Sequence, residues 1–278
     1  FRDDTPQEKD MSAYLMVLHP VESHFLHAAI SPDGYTFTAM NDGKPIIAGD
    51  TIADQKGIRD PHIYRGPDGG FYLAMTDLHI YAQRDGYRDT EWERDGKAYG
   101  WGNNRGLVLM KSFDLIHWTR TNIRFDQMSK EFAQIGCAWA PETVYDPVTG
   151  RMMIYFTMRF GTEQNRLYYV YVNQDFNRIE SIPQILFEYP SGASAIDGDI
   201  TPIWNEERQK MEYHLFYVAH ESGSGIKQAV SDRIDGGYRF DPRWIDFEPV
   251  ACEAPNVWKR IGEDKWVLMY DIFGINPH

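Results

Sequence analysis

Hydrophobic positions along this chain come in short runs rich in Tyr, Phe, Trp, Val and Ile, broken by polar turns bearing Gly, Asp or Asn. No apolar pattern of period 3.6 continues for ten residues or more, so the runs predict strands and an all-β fold. Four stretches repeat one plan: an acidic residue beside Pro or Gly, a short strand, a polar turn and an aromatic-rich strand. They are RDPHIYRGPDGGFYLAMTD, WAPETVYDPVTGRMMIYFTM, IDGDITPIWNEERQKMEYHLFYVA and CEAPNVWKRIGEDKWVLMYD. Their acids, Asp60, Glu142, Asp197 and Glu253, are 82, 55 and 56 residues apart. The long first gap holds residues 78–104, a polar aromatic stretch that reads as an inserted loop.

Between these stretches lies a second shared plan, a strand followed by a Ser- or Asn-Asp turn and an aromatic: FLHAAISPDGYTF, LVLMKSFDLIHW and YYVYVNQDFNRI. Each unit therefore supplies about four short strands, and a period above 40 residues with four strands per unit predicts a β-propeller. The segment from Tyr14 to Ile47 has three candidate strands without the acidic opening, and reads as an incomplete blade closed by a strand from the other end of the chain. Because His278 falls two strands into the fourth repeat, the expectation is a single propeller domain over 1–278 with an N-terminal arm of about ten residues. Five blades are expected in the intact protein, with some tens of C-terminal residues absent from this chain.

Composition narrows the partners. The formal net charge of −13 and pI near 5.1 argue against nucleic acid and anionic membranes, which need a basic surface, and favour an uncharged partner. No apolar run approaches the roughly 18–20 residues of a membrane span. The polar start, FRDDTPQEKDM, suits a mature secreted or periplasmic chain freed of its signal peptide, and a cytoplasmic one as well. Cys137 and Cys252 read as two buried free thiols, with a single bridge as the alternative. The nine histidines include no HxxxH pair.

In a propeller the first strand of each blade lines the central channel, so acids at the starts of these strands converge on one hollow. Cleaving a glycosidic bond needs one carboxylic acid to protonate the leaving oxygen and one carboxylate to activate water or attack the sugar. A third carboxylate nearby helps hold the acid's proton near neutral pH. Asp60, Asp197 and Glu253 are the candidate set.

The order RDPHI, WAPE, AIDGDI and CEAPNVWK resembles glycoside hydrolase family 43, over roughly residues 11–278. The resemblance implies a five-bladed propeller that cleaves terminal sugars by inversion with an Asp, Asp, Glu triad. It makes Asp60 the general base, Asp197 the residue that raises and orients the acid, and Glu253 the general acid, with Asp199 as a rival for the middle role. Inversion would place the carboxyl groups of base and acid about 6.5–9.5 Å apart, retention near 5 Å.

For substrate contact the candidates are Asp77, Trp101, Trp139 and Glu142. Asp77 reads equally as a loop cap, and Trp139 with Glu142 as a packed Trp beside a surface Glu. Tyr81, Tyr87, Trp92, Tyr99 and Trp101 of the insertion form either a stacking wall for sugar rings or ordinary loop packing. No cofactor is required; the resemblance allows a calcium ion in the channel. An α-L-arabinofuranosidase is the first choice of activity, a β-xylosidase or galactosidase the next. The rivals are a retaining fructosidase-like propeller of families 32 and 68, against which the absence of an Asn-Asp-Pro-Asn motif ahead of Arg59 argues, and a non-catalytic glycan-binding propeller.

Overall fold

The apolar runs of the four repeats form strands. In a computed structural model, which describes residues 5–221, 225–243 and 251–273, strands β1 (Tyr14–Leu18), β2 (His27–Ser31) and β3 (Thr38–Ala39) make an antiparallel three-stranded sheet. The next sheet holds β4 (Ile58–Arg65), β5 (Phe71–Asp77), β6 (Gly106–Ser112) and β7 (Thr119–Arg124). A second four-stranded sheet follows with β8 (Ile135–Asp146), β9 (Arg151–Phe160), β10 (Arg166–Val172) and β11 (Gln184–Phe187). The third comprises β12 (Ala195–Asn205), β13 (Lys210–Ala219), β14 (Lys227–Ser231) and β15 (Arg239–Asp241). A hairpin of β16 (Glu253–Lys259) and β17 (Trp266–Asp271) ends the series.

Every pairing within these sheets joins consecutive antiparallel strands, the meander of a propeller blade. The four acidic repeats are the hairpins β4–β5, β8–β9, β12–β13 and β16–β17. The second plan is the turn between the last two strands of a sheet. There Ser112 donates its hydroxyl to Asp114 (3.0 Å), whose carboxylate accepts the amides of Ile116 and His117. Ser31 and Asp33 do the same for Tyr35 and Thr36, and Asn173 serves the amides of Asn177 and Arg178. Among the described residues the arrangement is four blades of three or four strands plus a hairpin, where the sequence predicts five blades.

The sheets stack face to face, each interface filled by its own apolar cluster. Leu26, Ile58, Leu73 and Met75 lie between the first two sheets, and Tyr72, Leu109, Phe125, Ile154 and Phe156 between the next pair. Leu167, Tyr169, Leu215 and Tyr217 fill the third gap; Ile196, Phe216, Val218 and Cys252 fill the last. Strands covered on both faces need no polar alternation, which explains unbroken runs such as LVLM and MMIYF. Both cysteines are buried, and neither forms a disulfide. The hairpin meets the first sheet through Glu8, whose carboxylate receives Lys259 Nζ (2.8 Å) and the Gly262 amide (2.6 Å), through Arg260 donating to the Asp33 carbonyl (3.1 Å), and through Ile261 N–H donating to the Tyr14 hydroxyl.

The inserted loop contains one helical turn, α1 (Gly96–Tyr99), capped by the Asp95 carboxylate accepting the Lys97 amide. Arg159 fastens this loop to the second blade by donating to the carbonyls of Tyr99 (3.0 Å) and Trp101 (2.8 Å). Asn104 is the knot beneath it. Its fully buried amide donates to the carbonyls of Asp77, Gly106 and Ala138 and accepts the Ala138 N–H at 2.7 Å. Asn104→Ala would orphan several buried backbone groups, so we expect a loss of about 2–4 kcal/mol in urea denaturation.

Candidate active site

The innermost strands of the last four sheets all break their ladders at one shared place, and β8 has a further break between Ile135 and Cys137. The shared break falls at Asp60–Pro61 in β4, Ala140–Pro141 in β8, Asp197–Gly198 in β12 and Ala254–Pro255 in β16. The first residue of each bulge has a left-handed backbone, with φ of 46°, 46°, 56° and 54°. For a residue with a Cβ this costs roughly 1–2 kcal/mol, and such bulges gather where side chains must be re-aimed. The structural register is therefore 60, 140, 197 and 254, that is 80, 57 and 57 residues apart.

This register corrects the sequence comparison. Asp60 and Asp197 are true equivalents, but Glu253 stands one residue before its bulge and Glu142 two residues after. The position before the bulge holds Arg59, Trp139, Ile196 and Glu253; the position two beyond it holds His62, Glu142, Asp199 and Asn256. An acid beside a proline looks alike in either place, and only the strand pairing separates them.

A bulged amide is lost to its own ladder and must find another acceptor. Here the acceptor comes from the preceding sheet or, for Asp60, from His19 just past its first strand. Asp60 N–H donates to His19 Nδ1 (3.1 Å), Ala140 N–H to Thr76 Oγ1 (2.9 Å) and Asp197 N–H to Thr157 Oγ1 (3.0 Å). Burial pushes the His19 pKa down to about 4, so its ring is neutral and can accept. Thr76 and Thr157 sit opposite Arg59 and Trp139 in their ladders, and the corresponding residue in β13, opposite Ile196, is Val218. Valine cannot accept a hydrogen bond. The Asp197 carboxylate takes its place and receives the Ala254 N–H through Oδ2 at 3.1 Å, which hooks it to the backbone next to Glu253.

The three candidate acids share one electrostatic neighbourhood. Burial raises the Asp197 carboxyl well above the usual range; the negative charges of Glu253 and Asp60 raise it further, against the Ala254 amide and Arg59, which lower it. Carboxylates so placed disfavour one another's ionisation. Asp60 is held through Oδ2, which accepts the Thr76 hydroxyl at 3.0 Å.

Asp199, like Asp197, faces β16, but it meets Asn256 Nδ2 (3.0 Å) and the Val257 N–H (3.1 Å) and also accepts the Thr201 hydroxyl (2.8 Å). It belongs with His62, Glu142 and Asn256 in a second polar layer. Glu142 accepts the Tyr155 hydroxyl at 2.6 Å; that hydroxyl in turn accepts the Ile200 N–H. Burial drives Glu142 well above its ordinary pKa and His62 down to about 4, so burial opposes the charged forms of both groups at their 3.7 Å approach. Among the described residues no group of three or more His, Cys, Asp or Glu side chains is disposed to hold a metal ion.

The remaining candidates divide. Asp77 is 4% exposed, and its two oxygens accept the amides of Asp54 and Gln55, both at 2.9 Å. Its carboxylate ties the loop of those two residues to the end of β5. Trp139 donates its indole N–H to the Gly102 carbonyl (3.0 Å), and the rings of Trp139, Trp101 and Trp92 follow one another at 5.9 and 5.4 Å. Trp101 is 59% exposed, so the cluster presents an aromatic wall beside the pre-bulge layer. The tyrosines of the insertion do not join it: Tyr81 packs on His24, Tyr87 donates to Asp50 and Tyr99 lies under Arg94. Sequence reasoning missed Thr76, Thr157 and His19. The threonines were visible only as lone hydroxyls in apolar strands, FYLAMTD and MMIYFTM.

A propeller whose inner strands bring Asp60, Asp197 and Glu253 together is the architecture of a carbohydrate-active domain. Over residues 9–277 the chain matches the family described as "Probable glycosyl hydrolase domain", of the group related to glycoside hydrolase family 43, and it belongs to that family. An α-L-arabinofuranosidase of Bifidobacterium longum subsp. longum is 28% identical over 141 residues, which span 48% of this chain and 12% of that enzyme's length. Among solved structures, an endo-arabinase of Bacteroides thetaiotaomicron superposes with a TM-score of 0.60 at 15% identity, covering 95% of this chain and 90% of that one. An endo-1,4-β-xylanase from the same organism gives 0.62 at 13% identity over 93% and 80%. An exo-1,5-α-L-arabinanase from a bovine ruminal metagenomic library gives 0.58 at 17% over 93% and 83%. At these identities the likeness is one of fold.

Burial raises the Asp199 pKa to about 7 from the usual 3.8. The folded chain thus keeps a proton that the unfolded chain releases above pH 3.8, and this contribution to stability is lost as the pH rises toward 7. In urea denaturation between pH 4.5 and 6.5 we expect stability to fall by about 1.4 kcal/mol per pH unit more steeply in the native chain than in Asp199→Asn. Parallel curves would show that Asp199 is already ionised.

Proposed function

We propose that this chain is the catalytic domain of an inverting glycosidase acting on arabinose- or xylose-containing plant polysaccharides or their oligosaccharides. α-L-Arabinofuranosidase is the first activity to test and β-xylosidase the second. The observation that carries the reading is the shared electrostatics of Asp60, Asp197 and Glu253, reached from sequence positions far apart. Asp60 accepts a proton from the attacking water, Glu253 donates one to the leaving oxygen, and Asp197 retains a proton on the cluster while fixing the backbone beside Glu253. Trp101 and Trp139 offer a face on which a sugar ring stacks. The relatives' names, arabinofuranosidase, arabinase, arabinanase and xylanase, favour pentose substrates.

The same reading includes five blades. β1 packs against β4 as β5 does against β8, so the first sheet occupies a blade position, and β16 carries the innermost-strand bulge, so the hairpin occupies another. A calcium ion on the axis would draw on His62, Glu142, Asp199 and Asn256. Those side chains are already engaged with one another and with Tyr155, so they do not fit such an ion. The chemistry proposed is that of the side chains. A binding module is the second reading, but three carboxylates that repel one another serve catalysis and not mere retention of a sugar.

Nitrophenyl α-L-arabinofuranoside, β-D-xyloside and β-D-galactoside assayed side by side will name the sugar, with the arabinofuranoside expected to be cleaved fastest. Proton NMR of the first product should show the anomer opposite to the substrate; a retained anomer overturns inversion. Glu253→Gln is expected to lose about 10²–10⁴-fold in turnover with an unchanged melting temperature. Native turnover by this variant would remove Glu253 from the role of acid.

A further inference from the structure

We propose that Thr76 is a positioning residue for the reaction: it selects which oxygen of Asp60 faces the hydrolytic water, and it couples that choice to the aromatic wall of the next blade. The proposal rests on the reading of Asp60 as the general base. Thr76 is fully buried, and its hydroxyl sits between two partners, the Ala140 N–H at 2.9 Å and Asp60 Oδ2 at 3.0 Å. The first partner is a donor, so the hydroxyl must accept from it. A hydroxyl has one hydrogen, and with a lone pair already filled by Ala140 that hydrogen goes to Asp60. Oδ2 is thereby committed as an acceptor, while Oδ1 has no hydrogen-bond partner among the described residues. The oxygen left for water is Oδ1.

The neighbouring blades show that this is more than propeller architecture. Capping a bulged amide requires only an acceptor. Thr157 fills the corresponding place one sheet later and accepts the Asp197 N–H, but the bulge residue of its own sheet is Ala140, which has no carboxylate to receive its proton. In the third sheet the place is taken by Val218, and no hydroxyl is present at all. Only in the blade that carries the proposed base does the threonine join a carboxylate to the next bulge. Because Trp139 immediately precedes Ala140, the same hydroxyl ties the base to the residue that supports Trp101.

The two functions of the hydroxyl can be separated from mere packing by variants of similar shape. Thr76→Val fills the space and removes both bonds, whereas Thr76→Ser keeps both. With nitrophenyl α-L-arabinofuranoside, Thr76→Val is expected to lose about 10–100-fold in kcat, the loss that follows from one hydrogen bond to a charged group. KM should stay within about twofold, and Thr76→Ser should recover kcat to within about threefold of the native value. Native kcat in Thr76→Val, or equal losses in the Val and Ser variants, would overturn the proposal. Should Thr76→Val fail to fold, Thr76→Cys, which weakens both bonds at nearly the size of serine, decides the matter by the same criterion. Asp60→Asn is the control on the parent reading. If it turns over like the native chain, Asp60 is not the base; if it is inactive while Thr76→Val is fully active, the base stands and the positioning role falls.

Discussion

A backbone amide that a bulge has pushed out of its ladder must be given a partner, and here the partner comes from the sheet before or, for Asp60, from the residue just past its first strand. His19, Thr76, Thr157 and the Asp197 carboxylate each accept one such N–H across an inter-blade gap. Four residues with side chains are held in a left-handed conformation that each would avoid in isolation. What makes the conformation tolerable is that it lets the inner strands speak to one another along the axis, where packing of apolar faces alone would leave them merely adjacent. The bulge re-aims Asp60 and Asp197, and the cross-blade bond fixes how far.

The same bonds set the electrostatics. Where Thr157 needs only a hydroxyl to cap its neighbour, the sheet with Val218 has none, and Asp197 is recruited to do the work. A carboxylate placed there is close to two others, and burial leaves their repulsion poorly screened. A structural requirement, the cap on Ala254, and an electrostatic effect, a carboxyl raised well above its usual range, therefore fall on one side chain. The second polar layer, built on Glu142, Asp199 and Tyr155, is satisfied internally and holds the inner strands together where the channel continues.

Much of the fold was legible in residue patterns that act locally. The hairpins announced themselves because a polar turn between two aromatic runs closes over a few residues, and the Ser31–Asp33 and Ser112–Asp114 turns because their hydroxyls and carboxylates bond amides two or three positions away. Asp60, Asp197 and Glu253 could be named since carboxylates at the heads of inner strands have few other destinations. Asp77 was harder, because an acid that ends a strand can face a ligand or a neighbouring loop, and the amides of Asp54 and Gln55 that claim it belong to a segment folded back over the strand end.

The sequence alone determined the strand-turn-strand plan, the repetition of that plan around an axis and the identity of three acids able to meet there, because each follows from chemistry confined to neighbouring residues. Only the tertiary structure decided that the true register runs through 60, 140, 197 and 254, that Glu142 belongs to a different layer from Asp60, and that Thr76 stands between Asp60 and the next blade. Those relations depend on which amide a bulge releases and which side chain, many residues earlier, lies within hydrogen-bonding reach of it, and no spacing along the chain encodes that distance.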